Sequence, residues 1–184
     1  SILDEVGSTR GDWRNTFVHE FGGHCFGRLL DEYWYADDKG PGDIPSQSWA
    51  VPFGLNISSS FDNPLWQTEL LDRLDALVIH NPLYSRVGIF QGADVSILNR
   101  WRSERVSCMI DNRCYFSAWQ RMLIVKRIMS LAGGTFDWNS FIIQDRPEDP
   151  SRDVAGNLTM NNALSLIPPH PVPLLPPPVL VERP

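Results

Sequence analysis

The stretch Val18-His19-Glu20-Phe21-Gly22-Gly23-His24-Cys25-Phe26-Gly27-Arg28-Leu29-Leu30-Asp31-Glu32-Tyr33 decides how the rest of the chain is read. It holds two histidines, a glutamate directly after the first, three glycines and a closing Asp-Glu pair. Two neutral imidazoles and one carboxylate are the donors a catalytic zinc site takes, with a fourth position left for water. Glu20 then has the place of a general base acting on that water, as in motifs of the form H-E-x-x-H.

The spacing departs from that form. His19 and His24 are five residues apart instead of four. On an ideal helix of about 3.6 residues per turn, positions four apart lie about 40° apart around the axis, and positions five apart about 140°. Two rings so divided cannot share one ion. A π-bulge absorbs one extra residue, and such bulges favour functional sites. Gly22 and Gly23 sit where it must form. The sequence therefore predicts one wide turn between Glu20 and His24. A regular helix there would instead mean that Gly23 has replaced the second ligand and that the site is dead.

The composition sets bounds. A chain of 184 residues with 42% hydrophobic and 11% aromatic residues has enough apolar material for one domain's core. The formal charge of −6 argues against a nucleic-acid surface. No window approaches the roughly 18 apolar residues of a membrane span, and Ser1 to Glu5 has no signal-peptide character. The three cysteines, Cys25, Cys108 and Cys114, exclude a fully paired framework. Cys108 and Cys114 either bridge or stay reduced.

Around the opening stretch, Asp12 can cap a helix that starts at Trp13, with Trp13, Phe17 and Phe21 as its apolar face. Residues 37–52 are rich in Gly, Pro and Asp and read as loop. Asn56-Ile57-Ser58 has the form of a glycosylation acceptor, as does Asn157-Leu158-Thr159. Asn63-Pro64 opens a predicted helix to about Leu77, buried through Trp66, Leu70, Leu71, Leu74 and Leu77. Arg86 to Phe90 reads as a short strand ended by Gly92. Ser117 and Gln120 form a capping box. The helix behind it carries Trp119, Leu123, Ile124, Ile128 and Leu131 inward and stops at Gly133-Gly134. Asp137 to Gln144 adds one or two turns. His80 and His170 read as structural or solvated. Two regions result: 1–147, for which the two-histidine stretch leads to the expectation of a metallopeptidase catalytic region, and 148–184 as a proline-rich tail or linker.

Taken together, HEFGGHCFGRLLDEY resembles the helix and turn of metzincin-type zinc peptidases, whose pattern is H-E-x-x-H-x-x-G-x-x-H with a Met-turn. The DEY ending, with GLNIS, GIFQGA, WRSERVSCMIDN and FSAWQRMLIVKRI, is similar to the IgA-specific metallo-endopeptidase family of metzincin-like bacterial zinc peptidases. The resemblance runs from about Asp12 to Asp145. It implies an α+β, predominantly helical, metzincin-like domain. Such domains place a sheet before the metal helix, and only 18 residues precede His19, so the domain is expected to be incomplete on that side.

Residue by residue, the resemblance makes His19 and His24 the imidazole ligands of one Zn2+ per chain and Glu20 the base. Gly27 becomes the turn out of the helix, Asp31 the third ligand and Met109 the Met-turn residue beneath the metal. Asp31 falls four residues after Gly27 where the general pattern has three, which keeps Glu32 in reserve. Tyr33 and Tyr115 are candidates for oxyanion or substrate contact. The implied activity is zinc-dependent endopeptidase cleavage of a protein or peptide, a host glycoprotein among the candidates, in a secreted or cell-surface setting. No nucleic acid and no membrane span are expected. The competing expectation is an inactive pseudo-peptidase that serves as a glycoprotein or cell-surface binding module. A zinc exopeptidase with the same histidine spacing would need a downstream ExxxGxxxE-like segment, which the chain lacks.

Overall fold

Trp66 and Trp119 are the largest fully buried side chains, and the described part of the molecule packs around them. The computed structural model describes residues 13–34, 53–112 and 115–145, the side chains at 13 and 14 excepted. Asp12, the loop at 37–52, Cys114, the tail at 148–184 with His170, and Asn157 all lie outside the described residues.

The architecture is α+β. Helix α1 (Trp13–Phe17) continues directly into a π-helix (Val18–Phe26). Strand β1 (Ile57–Ser58) follows, then a 3-10 turn (Leu71–Arg73), α2 (Leu74–His80) and a second 3-10 segment (Pro82–Arg86). Strands β2 (Phe90–Ala93) and β3 (Ser96–Arg102) lead to a short α3 (Cys108–Asp111), then α4 (Ala118–Leu131) and α5 (Trp138–Gln144). The three strands form one antiparallel sheet in the order β1-β3-β2. Among the described residues, no helix is long and apolar enough to cross a membrane.

The helix after Pro64 is not continuous. The Leu70 and Leu71 amides both donate to the Trp66 carbonyl oxygen (3.0 and 3.3 Å). Leu70 leaves the helical region at φ −121°, so regular winding begins only at Leu74. The inward residues are still Trp66, Leu70 and Leu77, because the broken turns keep them on the core side. His80 ends α2 and is exposed.

The second strand also differs from expectation. Residues 82–86 are 3-10, and β2 runs through Gly92 instead of stopping before it. Gly92 adopts φ +93°, and an added Cβ would lie 2.8 Å from the Trp34 ring. β3 escaped the sequence reading because its alternation is inverted. Ser96, Arg100 and Arg102 are buried while Ile97 and Leu98 are exposed. The Arg102 guanidinium lies over the Trp34 ring at 4.4 Å and donates to the Gln91 and Gly92 carbonyls.

Helix α4 begins with the expected capping box. The Ser117 hydroxyl accepts from the Gln120 N–H, and the Gln120 side chain accepts from the Ser117 N–H. It ends through Gly133 at φ +71°, with the Gly134 N–H donating to the Met129 carbonyl (2.8 Å). Only its first turns are deeply buried, through Trp119, Met122 and Leu123. Ile128 and Leu131, predicted as inward, are exposed, because the core cluster meets α4 near its N-terminal half. Two indole N–H groups brace the core, Trp119 donating to the Leu55 carbonyl (2.7 Å) and Trp66 to that of Gly88 (2.9 Å).

Glu104 is a fully buried carboxyl that accepts from the Ala118 N–H (2.6 Å) and the Tyr115 hydroxyl (2.7 Å). Burial pushes it up to about 7, and the two hydrogen bonds only partly oppose that. A carboxyl that holds its proton more tightly when folded favours the fold most below about pH 4.5, and this contribution is lost as the pH rises through about 7. Glu104→Gln keeps the shape without the titration. Relative to wild type, its unfolding free energy should rise by about 2 kcal/mol between pH 5 and pH 8. Urea denaturation across that range checks this, and a difference independent of pH would contradict it.

Candidate metal centre

The helix widens where the sequence required it, and over a longer span. Instead of one wide turn, all of Val18–Phe26 is π-helical. Hydrogen bonds that run i→i+5 bring residues five apart onto one face. The Gly27 N–H accordingly donates to the Gly22 carbonyl at 2.9 Å. His19 and His24 therefore converge, with 3.1 Å between their Nε2 atoms.

The face that packs inward is Asn15, His19, Gly23 and Gly27, at steps of four. It is polar or small, and it seats on α3. A Cβ at Gly23 would lie 2.3 Å from the Met109 Sδ, so any larger residue there would force the buried thioether to move. The Phe17 and Phe21 part of the expected apolar face lies outside. Phe17 and Phe21 are each 57% exposed and stack on one another at 5.2 Å.

Gly27 has a different task from the one expected of it. Its backbone is right-handed (φ −70°), and the left-handed residue at the helix exit is Arg28 (φ 53°). Gly27 is needed because a Cβ there would stand 2.8 Å from the Gly23 carbonyl oxygen. Past Arg28 the chain has left the helix, and Asp31 turns back to the histidines. Its Oδ1 lies 3.0 Å from His19 Nε2 and 3.2 Å from His24 Nε2. Glu32 points the opposite way and is completely buried, accepting from the Ser107 hydroxyl (2.8 Å) and Asn56 Nδ2 (3.1 Å).

The other nitrogens of the two rings fix their tautomers. His19 Nδ1 donates to the Cys108 carbonyl and His24 Nδ1 to the Leu29 carbonyl, each at 2.7 Å. A carbonyl only accepts, so Nδ1 carries the hydrogen in both rings and Nε2 of a neutral ring presents a lone pair. Two lone pairs and a carboxylate oxygen then face each other, and the buried Asp31 Oδ1 has no hydrogen-bond donor. A cation at their centre satisfies all three. Tetrahedral zinc with bonds of about 2.0–2.1 Å would place its ligand atoms about 3.3 Å apart, close to the 3.0, 3.1 and 3.2 Å found. Without a cation, a proton must do this work. Burial disfavours the His24 imidazolium, yet Asp31, the Leu29 carbonyl and Glu20 outweigh it and raise His24. In that proton-bearing state burial would raise Asp31, but hydrogen bonds from His19 and His24 and their charge would hold it well below the usual carboxylate range.

Three of the remaining sequence candidates sit as follows. Glu20 is exposed and lies close enough to bias His24. Met109 is fully buried beneath Gly23. Tyr33 is half-buried, and its carbonyl accepts from the Val95 N–H (3.1 Å). Tyr115 is not brought to the cluster as a free phenol. Its hydroxyl is engaged by Glu104 in the interior, and burial and the Glu104 charge raise it out of the usual range. Among the described residues, no fourth His, Cys, Asp or Glu joins His19, His24 and Asp31.

The sequence reading missed the hairpin tip between β2 and β3. Asp94 and Val95 both have positive φ, 51° and 55°, as a two-residue hairpin turn demands. The Asp94 N–H donates to the Asp31 carbonyl at 2.9 Å. Asp-Val lacks the usual Asn-Gly signal, and a β-branched residue in this region is an outlier that marks strain. No family model, curated protein or solved structure matches the chain.

The contact between Gly23 and Met109 gives a direct test. Gly23→Ala should destabilise by about 1–3 kcal/mol through overpacking, and Met109→Ala in the same background should recover part of that loss. A double-mutant cycle by chemical denaturation reads the coupling. Additive effects would mean that the two residues do not touch.

Proposed function

We propose that this protein is a zinc-dependent endopeptidase. The observation that carries the reading is the convergence of His19 Nε2, His24 Nε2 and a donor-less Asp31 Oδ1 within 3.2 Å of one another. Two nitrogens and one oxygen suit zinc among the divalent ions. With three protein donors among the described residues, a further position stays open, which favours a catalytic over a closed structural site. Zinc held there supplies Lewis acidity, polarising a carbonyl and bringing the pKa of water to about 7.

The chain's own part then follows. His19 and His24 stay neutral toward the ion because their Nδ1 hydrogens are taken by the Cys108 and Leu29 carbonyls. Asp31 brings the negative charge. Glu20 is exposed, beside His19 in sequence, and its carboxylate takes a proton from water and returns it to the departing amine nitrogen. The resemblance of HEFGGHCFGRLLDEY to the IgA-specific metallo-endopeptidases supports a protein or peptide substrate, a host glycoprotein included, and a secreted or cell-surface setting.

Purified protein should carry about one zinc per chain by elemental analysis. Glu20→Gln should keep that metal yet lose at least about 10²-fold of the cleavage rate on a labelled unfolded protein such as casein. Equal activity from the variant would reject the assignment of Glu20. A full zinc complement in a wild-type protein that cleaves nothing would favour the binding-module reading.

A further inference from the structure

We propose that Asn56 and Glu32 are positioning residues for the cation site, an inference that rests on the zinc reading above. Neither belongs to the set of donors, and both side chains are completely buried. Asn56 grips the backbone of Leu30 from both sides. The Leu30 N–H donates to Oδ1 at 2.9 Å, and Nδ2 donates to the Leu30 carbonyl at 2.8 Å.

These two bonds reach the site through peptide planarity. The Leu30 N–H shares a rigid plane with the Leu29 carbonyl, the group that accepts His24 Nδ1. Fixing one end of that plane aims the other at the ring. The Leu30 carbonyl shares the next plane with the Asp31 amide, so the second bond orients the residue that carries the carboxylate. The plane after Asp31 is pinned as well. The Asp31 carbonyl accepts from the Asp94 N–H (2.9 Å), and the Glu32 N–H donates to the Met109 carbonyl (2.7 Å). Asp31 is thus held between immobilised peptide groups.

Glu32 ties this clamp to the turn that orients His19. Its Oε1 accepts from Asn56 Nδ2, and its Oε2 accepts from the hydroxyl of Ser107. Ser107 directly precedes Cys108, whose carbonyl takes His19 Nδ1, and the Ser107 hydroxyl also accepts from Gln120 Nε2 (3.1 Å). One buried carboxyl therefore joins the segment that places His24 and Asp31 to the segment that places His19. Asn56 is itself fixed from behind. β1 pairs with β3 directly after it, and the Trp119 indole holds the preceding Leu55 carbonyl.

The experiment is zinc binding by the full chain in competition with a chromophoric chelator, with the visible spectrum of the cobalt-loaded protein as a second readout. Circular dichroism and thermal unfolding of the metal-free protein report folding separately. Asn56→Ala and Glu32→Ala should fold and bind zinc about 10–100-fold more weakly than wild type, with an altered cobalt spectrum. Glu32→Gln, which keeps the volume and an acceptor for Asn56, should restore near-wild-type affinity. If Asn56→Ala does not fold, Asn56→Asp carries the comparison. It keeps the acceptor for the Leu30 N–H but sets a carboxylate oxygen against the Leu30 carbonyl and Glu32, so weakened binding is again expected. Folded variants with wild-type zinc affinity would overturn the positioning role and leave the zinc reading standing. A wild-type protein that binds no zinc would overturn the zinc reading, and the positioning role with it.

Discussion

The seating of Gly23 on the Met109 thioether is the contact from which the site's geometry follows. A Cβ at residue 23 would penetrate the sulfur, so the missing side chain lets the π-helix and α3 sit this close with the thioether in place. At that distance the Cys108 carbonyl reaches His19, and the Met109 carbonyl reaches the Glu32 amide. One short turn thus orients a ring on the helix and the backbone beyond the helix exit. Lift the helix by the width of a methyl group, and both hydrogen bonds lengthen together. The three candidate donors come from two segments, but their alignment has a common origin.

The paired glycines carry two meanings, and only one could be read from the sequence. Five-residue spacing between His19 and His24 demanded a widened helix, because a regular one divides the rings; that is a statement about periodicity, and periodicity is visible in a string of letters. Why Gly23 in particular must lack a side chain was not visible, since its neighbour Met109 is 86 positions away. Gly27 was legible as a residue needed at the exit, yet its role is close approach and the positive φ falls on Arg28. The choice between Asp31 and Glu32 was open in the sequence, because both carboxylates follow the same turn. Their partners settle where they point: Asp31 meets the two rings, and Glu32 meets Ser107 and Asn56 in the interior.

Elsewhere, legibility tracked how local the cause was. The capping box at Ser117 and the glycine stop at Gly133 are written in adjacent residues, and both stand as read. β3 was hidden because burial selects Arg100 and Arg102 over Ile97 and Leu98, the reverse of what hydropathy alone would choose. Those arginines are tolerable inside because Trp34, Asp94 and the β2 carbonyls surround them. The outward stacking of Phe17 on Phe21 has the same lesson. An apolar stripe at helical spacing marks a face, and the packing partner decides whether that face is the buried one.

Asn56 also bears on how the chain can be handled by a cell. Asn56-Ile57-Ser58 satisfies the three-residue rule for attaching an oligosaccharide. In the folded protein both ends of that amide are engaged and no surface of it is open. A transferase could reach the nitrogen only on a nascent chain, and the sugar would then bar Leu30 from its partner. Made in a secretory pathway with that machinery, the polypeptide would face a race between closing around Asn56 and being tagged there, and the tagged molecules could not complete the clamp.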